Sequence, residues 1–207
     1  MALSTYNELV DSVIAWSHRK DILKLIPDFI ALAEYEMFNN AQTQLRVRET
    51  EIVSTAPTSS RYLELPPNFE KARSVMIVTG LGYCDVKFQA PEQMSRVATT
   101  GQPRFFTVVG NELEFNCTPD SEYTLQIQYY KKPDPITELS PSNVLLTDYP
   151  NIYLYGVLHQ VFLWSEDIEE AAKYAGKFQD AIKGANKSDK KARYGSAPSM
   201  SIEGMKP

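Results

Sequence analysis

The stretch Tyr149-Pro150-Asn151-Ile152-Tyr153-Leu154-Tyr155-Gly156-Val157-Leu158-His159-Gln160-Val161-Phe162-Leu163-Trp164 decides how this chain folds. On a helix, Ile152, Leu154, Tyr155, Val157, Leu158, Val161, Phe162 and Trp164 leave almost no polar face, and a helix apolar all round belongs inside a core. Directly downstream, Ser165-Glu166-Asp167 reads as an N-cap with an acidic first turn, favourable against the positive end of a helix. Ile168, Ala171, Ala172, Ala175, Phe178 and Ile182 then carry an amphipathic helix to about Arg193.

The other helical signals lie at the opposite end of the chain. Thr5-Tyr6-Asn7-Glu8 is a capping-box pattern, followed by Tyr6, Leu9, Val10, Val13 and Ile14 on one face. A second helix starts near Pro27, whose missing N–H costs nothing in a first turn. Phe29, Ile30, Ala33 and Met37 form its apolar stripe. Between the two helical regions the period alternates: Thr50–Thr55, Arg61–Leu65 and Ala72–Thr79 read as strands. Ala56-Pro57-Thr58-Ser59-Ser60 and Pro66-Pro67-Asn68 break them. Val75-Met76-Ile77-Val78, apolar on both faces, predicts a strand covered on both sides.

Gly110-Asn111 is a two-residue hairpin signal. Its second arm places Leu113, Phe115 and Cys117 inward and Glu112, Glu114 and Asn116 outward. Glu122–Tyr130 repeats this, with Tyr123, Leu125, Ile127 and Tyr129 inward and Gln126 and Gln128 outward. Lys131 to Asp148, spaced by Pro133, Pro135 and Pro141, has no period and reads as a linker or contact segment.

The layout predicts an α+β fold. A helical bundle is formed by both chain ends, residues 1–46 and 149–193. An antiparallel β-module at 48–131 is inserted between them, with a proline-spaced connection at 132–148. An extended C-terminal arm, 194–207, has two Gly, two Pro and no period. It cannot offset its own chain entropy alone, so it is expected to order against a partner through Met200, Ile202 and Met205.

The 207 residues, 43% hydrophobic and 23% charged, suit a folded chain. Cys84 and Cys117 are the only cysteines, too far apart for a thiolate metal motif, and read as buried thiols. No apolar run approaches the roughly 18 residues of a membrane helix. The first residues lack the basic and apolar regions of a signal peptide, so a soluble, unprocessed protein is expected.

Catalytic groups are scarce. His18 and His159 are the only histidines. The first falls at a helix C-terminus beside Arg19 and Lys20, the second on the most apolar helix. Gly80-Leu81-Gly82 is a hairpin turn rather than a nucleotide site, and the pairs Glu34/Glu36 and Glu169/Glu170 read as solvated helix positions. No metal, nucleotide, cofactor or nucleophile site is expected, and the chain is not read as an enzyme.

One charge feature stands out. From Lys173 to Arg193, seven bases (Lys173, Lys177, Lys183, Lys187, Lys190, Lys191 and Arg193) face two acids, Asp180 and Asp189. With a total of −5, the remainder carries about −10. The plain reading is a solvated helix end that favours cations. The functional one is docking onto an acidic protein surface, ahead of nucleic-acid binding, because only Tyr174, Phe178 and Tyr194 are interleaved.

The order of landmarks resembles the head-to-tail adaptor proteins of tailed bacteriophages. Thr5-Tyr6-Asn7-Glu8-Leu9-Val10 and Ile26-Pro27-Asp28-Phe29-Ile30-Ala31-Leu32-Ala33-Glu34 carry the likeness, as do Tyr62-Leu63-Glu64-Leu65-Pro66-Pro67-Asn68-Phe69 and Pro91-Glu92-Gln93-Met94. It continues through Gly101-Gln102-Pro103-Arg104-Phe105-Phe106, Tyr129-Tyr130-Lys131-Lys132-Pro133, Leu154-Tyr155-Gly156 and Lys191-Ala192-Arg193-Tyr194. The resemblance implies a helical bundle bearing a β-domain and a ring, usually twelve-fold, beneath the portal of the virion. Such a ring extends the DNA channel and presents a platform to tail or nozzle proteins, with no membrane partner. On that reading Lys187, Lys190, Lys191, Arg193, Tyr194, Met200, Ile202 and Met205 are the portal-binding candidates. Two other classes compete. A carbohydrate-binding or tail-spike accessory module would use Tyr83, Phe106 or Tyr130 as an exposed platform, and a degradative virion enzyme would need acid–base groups.

Overall fold

Thr5 starts the first helix, α1 (Tyr6–Ser17), by the reciprocal capping its sequence implies. Its hydroxyl accepts from the Glu8 amide at 3.4 Å, and the Glu8 carboxylate accepts from the Thr5 amide at 3.1 Å. The computed structural model describes residues 3–40, 44–47, 51–80, 82–96 and 99–194. The chain divides into two units, one of residues 1–49 and 133–207, the other of residues 50–132. The class is mixed α+β.

The first unit holds α1, α2 (Ile26–Asn39), α3 (Val144–Asp148), α4 (Pro150–Trp164) and α5 (Ile168–Tyr194). Helix α4 packs against all four others. Ile152, Tyr153, Leu154, Val157, Leu158 and Val161 are buried, as an apolar helix requires. Gly156 sits where α4 meets both α2 and α5: a Cβ there would stand 2.9 Å from the Phe178 ring and 3.2 Å from the Ala33 methyl. Leu45 and Val47 fill the same core. The Asn186 side chain of α5 holds their backbone, accepting from the Arg46 amide and donating to the Gln44 carbonyl.

Two expectations fail locally in this unit. The stretch read as aperiodic contains α3, which buries Leu145 and Leu146 and is capped by Asn143, whose Oδ1 accepts from the Leu146 amide at 2.8 Å. Five residues are too few to show a helical period. Ser165 closes α4 instead of opening α5: its amide donates to the Val161 carbonyl and its hydroxyl to that of Phe162. The capping contact of α5 comes from Asp167, whose carboxylate accepts from the Glu170 amide, after a left-handed Glu166 at φ 60.

The second unit is a seven-stranded sheet. Its strands are β1 (Glu51–Thr58), β2 (Tyr62–Glu64), β3 (Phe69–Thr79), β4 (Gly82–Phe88), β5 (Phe105–Val109), β6 (Glu112–Phe115) and β7 (Tyr123–Lys131). Their order is β1-β7-β3-β4-β5-β6-β2. Pairing is antiparallel except between β4 and β5, which meet in parallel at Lys87 with Phe105 and Phe88 with Phe106. The core gathers Val75, Ile77, Leu113, Phe115, Leu125 and Ile127.

Several strand expectations need correction. Strand β1 runs on through Ala56-Pro57-Thr58, because at a sheet edge proline forfeits no ladder bond on its open side. Strand β4 is new, and only Val86 of it is buried, so its alternation was faint. In β3 Val75 and Ile77 are buried while Met76 and Val78 are half-buried, so the cover is one-sided. Glu114 does not face solvent. Phe106 is buried, which removes it from any aromatic platform, whereas Tyr83 stands exposed and Tyr130 half-buried. Cys117 is buried as expected, but Cys84 is exposed.

Candidate partner-docking surfaces

Helix α5 presents two unlike faces. Ala171, Tyr174, Phe178, Ile182, Ala185 and Asp189, at helical spacing, are buried. Tyr174 and Phe178 therefore belong to the core and cannot stack on a nucleobase. Of the two acids in the run, Asp189 thus turns to the buried face and Asp180 stands on the outer one.

Not every cation on that face is available. The Lys173 ammonium pairs with Glu170 at 2.8 Å and lies over the Tyr174 ring, while Lys177 sits over both Tyr155 and Tyr174 at 5.6 and 4.9 Å. Lys183 approaches Asp180 at 4.0 Å. Lys187, Lys190 and Lys191 are exposed along the last turns. The helix thus brings these three candidates to one end. The side chains of Arg193 and Tyr194 lie outside the described residues, as do Met200, Ile202, Met205 and the rest of the arm.

The histidines have local roles. His18 ends α1 in a left-handed conformation. His159 is half-buried, with Nδ1 3.0 Å from the Ala171 carbonyl, tying α4 to α5. Among the described residues no group of three or more His, Cys, Asp or Glu is placed to hold a metal, and no helix is long and apolar enough to cross a membrane.

Three carboxylates that the sequence reading left in solvent are engaged. Glu34 accepts from the Ile136 amide and the Tyr153 hydroxyl, both at 3.0 Å, and burial pushes its pKa up. Asn143 completes the network, donating to the Tyr153 oxygen and the Asp134 carbonyl. Burial likewise raises the Tyr153 phenol well above its ordinary value. Glu36 is also engaged, accepting from Gln160 at 3.1 Å. In the second unit Glu114 receives both forks of Arg96, at 2.9 and 3.0 Å, with Arg61 at 3.4 Å. The Arg96 hydrogen bonds hold its carboxyl below the usual range.

The turn at residues 137–140 is tied on both sides. Thr137 N–H donates to the Ser140 carbonyl and Ser140 N–H to the Thr137 hydroxyl. Ile136 is buried before it, and the Pro141 carbonyl after it accepts from Tyr6. At its tip Leu139 is 99% exposed. Within the second unit a groove of about 670 Å³ opens beside β3 and β4, with Phe88, 61% exposed, at its wall.

These features describe an α+β protein whose notable surfaces are a basic helix end, an exposed leucine on a hydrogen-bonded turn and a groove with an apolar wall. The chain belongs to the SU10 adaptor protein family, which matches residues 4–200. It is a structural protein of the bacteriophage virion, a head-to-tail adaptor acting in tail assembly. No curated protein matches the chain.

Proposed function

We propose that this adaptor assembles as a homo-oligomeric ring, probed first as a dodecamer, at the head–tail junction beneath the portal. The ring extends the DNA channel and offers a platform to tail or nozzle proteins. Both chain ends form the helical bundle, the β-module is inserted between them, and the arm at 194–207 extends to the portal. Family membership over residues 4–200 is the observation that carries this reading. The exposed Lys187, Lys190 and Lys191 support an acidic portal surface as the docking partner. Arg193, Tyr194, Met200, Ile202 and Met205 extend that contact, with the methionines filling an irregular groove.

The work is structural rather than catalytic. DNA passes without specific binding, because a basic channel would hold phosphates and slow transit. The test is particle mass with and without portal protein. Multi-subunit rings that bind portal are expected, and a chain that stays monomeric with portal present would refute the reading. Deleting 195–207 is expected to abolish portal binding at an unchanged melting temperature.

A further inference from the structure

We infer that copies of this chain join by a knob and a groove: the Leu139 turn of one copy enters the groove beside β3 and β4 of the next. The inference rests on the ring reading above and assigns the contact that closes it.

The knob is preformed. Hydrogen bonds across Thr137 and Ser140 fix the turn, and Ile136, Glu34 and Tyr6 fix its base. A leucine held wholly in water at the tip of a fixed turn gains nothing for the isolated fold. Inserted into a partner, it buries its side chain with little ordering cost, because the turn already has its bound shape.

The groove fits this occupant in shape and charge. Its apolar wall is made by Phe69, Val86, Phe88 and Phe106, with Phe88 standing edge-on to the buried Phe106 at 5.6 Å. At about 670 Å³ it takes the tip of a turn rather than one side chain. Lys71, Arg73 and Lys87 line it and are exposed. Of the two acids there, Glu70 is paired with Lys132 at 3.1 Å, leaving Asp85. The knob is acidic: Glu138 adjoins Leu139, and the chain from 133 to 172 holds seven acids and no Lys or Arg.

A knob that enters a groove joins two different patches, so the contact can repeat from copy to copy. Repeated in this way, it closes a ring when the rotation permits.

Disulfide trapping tests this directly. In full-length chains carrying Cys84→Ser, one preparation bears Leu139→Cys and another Phe88→Cys. The mixture is expected to give cross-linked dimers under mild oxidation, well above either preparation alone. Equal trapping in the mixture and in the single preparations would overturn the inference. As a second measurement, Leu139→Asp is expected to raise the self-association constant for dissociation about tenfold or more, as loss of an interface anchor does. The melting temperature should not move. Glu138→Lys should also weaken association, and adding Lys87→Glu in the same chain should restore it. If Leu139→Asp assembles like wild type, the knob is wrong and the ring stands. If wild type itself never leaves the monomer, alone or with portal protein, the ring reading falls and this inference with it.

Discussion

Glu34 in the helical unit and Glu114 in the β unit are both drawn out of solvent, but by opposite means. Glu34 accepts only from neutral donors, an amide and a phenol, so desolvation governs and its pKa rises. Glu114 accepts from the Arg96 guanidinium and is ion-paired with that of Arg61, so charge partners govern and its pKa falls. The difference separates two kinds of interior. The helical unit is an apolar core in which one carboxylate ties the proline-spaced segment to α2 and α4. In the β unit an apolar core adjoins a polar layer of Arg61, Thr107 and Glu114. The two can be followed separately, because Trp16 and Trp164, the only tryptophans, both lie in the helical unit. Indole fluorescence then reports that unit alone, and circular dichroism reports both.

The largest effect is expected from Glu114→Ala, which strands Arg61 and Arg96. Removing one partner of a buried pair costs about 3–5 kcal/mol, reduced here to about 2–3 because Arg96 is half exposed. Denaturant curves should show the loss in the dichroism of the β unit while the indole transition stays in place. A shift of both together would show that the two interiors are not independent.

Gly156→Ala should act on the other unit. The added methyl meets the Phe178 ring and the Ala33 methyl inside contact distance. Overpacking of about 1–3 kcal/mol, less the gain in helix propensity, leaves about 1–2 kcal/mol of destabilisation. The indole transition should move to lower denaturant.

Tyr153→Phe removes one donor from Glu34 and one acceptor from Asn143, for a loss of about 1 kcal/mol. It should also push the Glu34 pKa higher still, readable by carboxyl NMR titration.

The smallest effect is the slope of stability with pH. Between the ordinary glutamate value and its raised folded value, Glu34 binds more protons folded than unfolded, so its contribution is present at low pH and is lost as pH rises through that window. Glu34→Gln should flatten the indole-detected stability there. Glu114 has the reverse sign: its contribution is present above the ordinary value and is lost as pH falls towards the lowered one. Acid should therefore loosen the β unit while it favours Glu34.

What could be read in the sequence follows from which forces leave a period. The Thr5–Glu8 box, the all-apolar α4 and the Gly110-Asn111 hairpin are local rules, and each stands where the sequence put it. Strand β4 escaped because its stability comes from lateral pairing with β3 rather than from a buried face. Helix α3 escaped by brevity, though Asn143 before Val144-Leu145-Leu146 was a usable cap signal. Glu34 and Glu114 were misplaced because alternation assigns every charge outward, while their partners Tyr153 and Arg96 are distant in sequence or lie in a loop. At the docking surface the basic run was plain, but Asp189 turning inward and Lys173 and Lys177 lying over tyrosines depend on the fold. Leu139 carries no sequence mark at all; only the hydrogen-bonded turn gives it meaning.

The place of β7 has a consequence for synthesis. It is the last strand to leave the ribosome, yet it lies between β1 and β3, so that half of the sheet stays open until residue 131 emerges. The β unit is then complete while α4 is still unmade. Helix α2 ends at Asn39 and α4 begins at Pro150, a delay of roughly 5–20 s at ordinary elongation rates of about 5–20 residues per second. For that interval α1 and α2 lack the α4 surface on which their apolar faces pack, so the helical unit can close only after the β unit has been made.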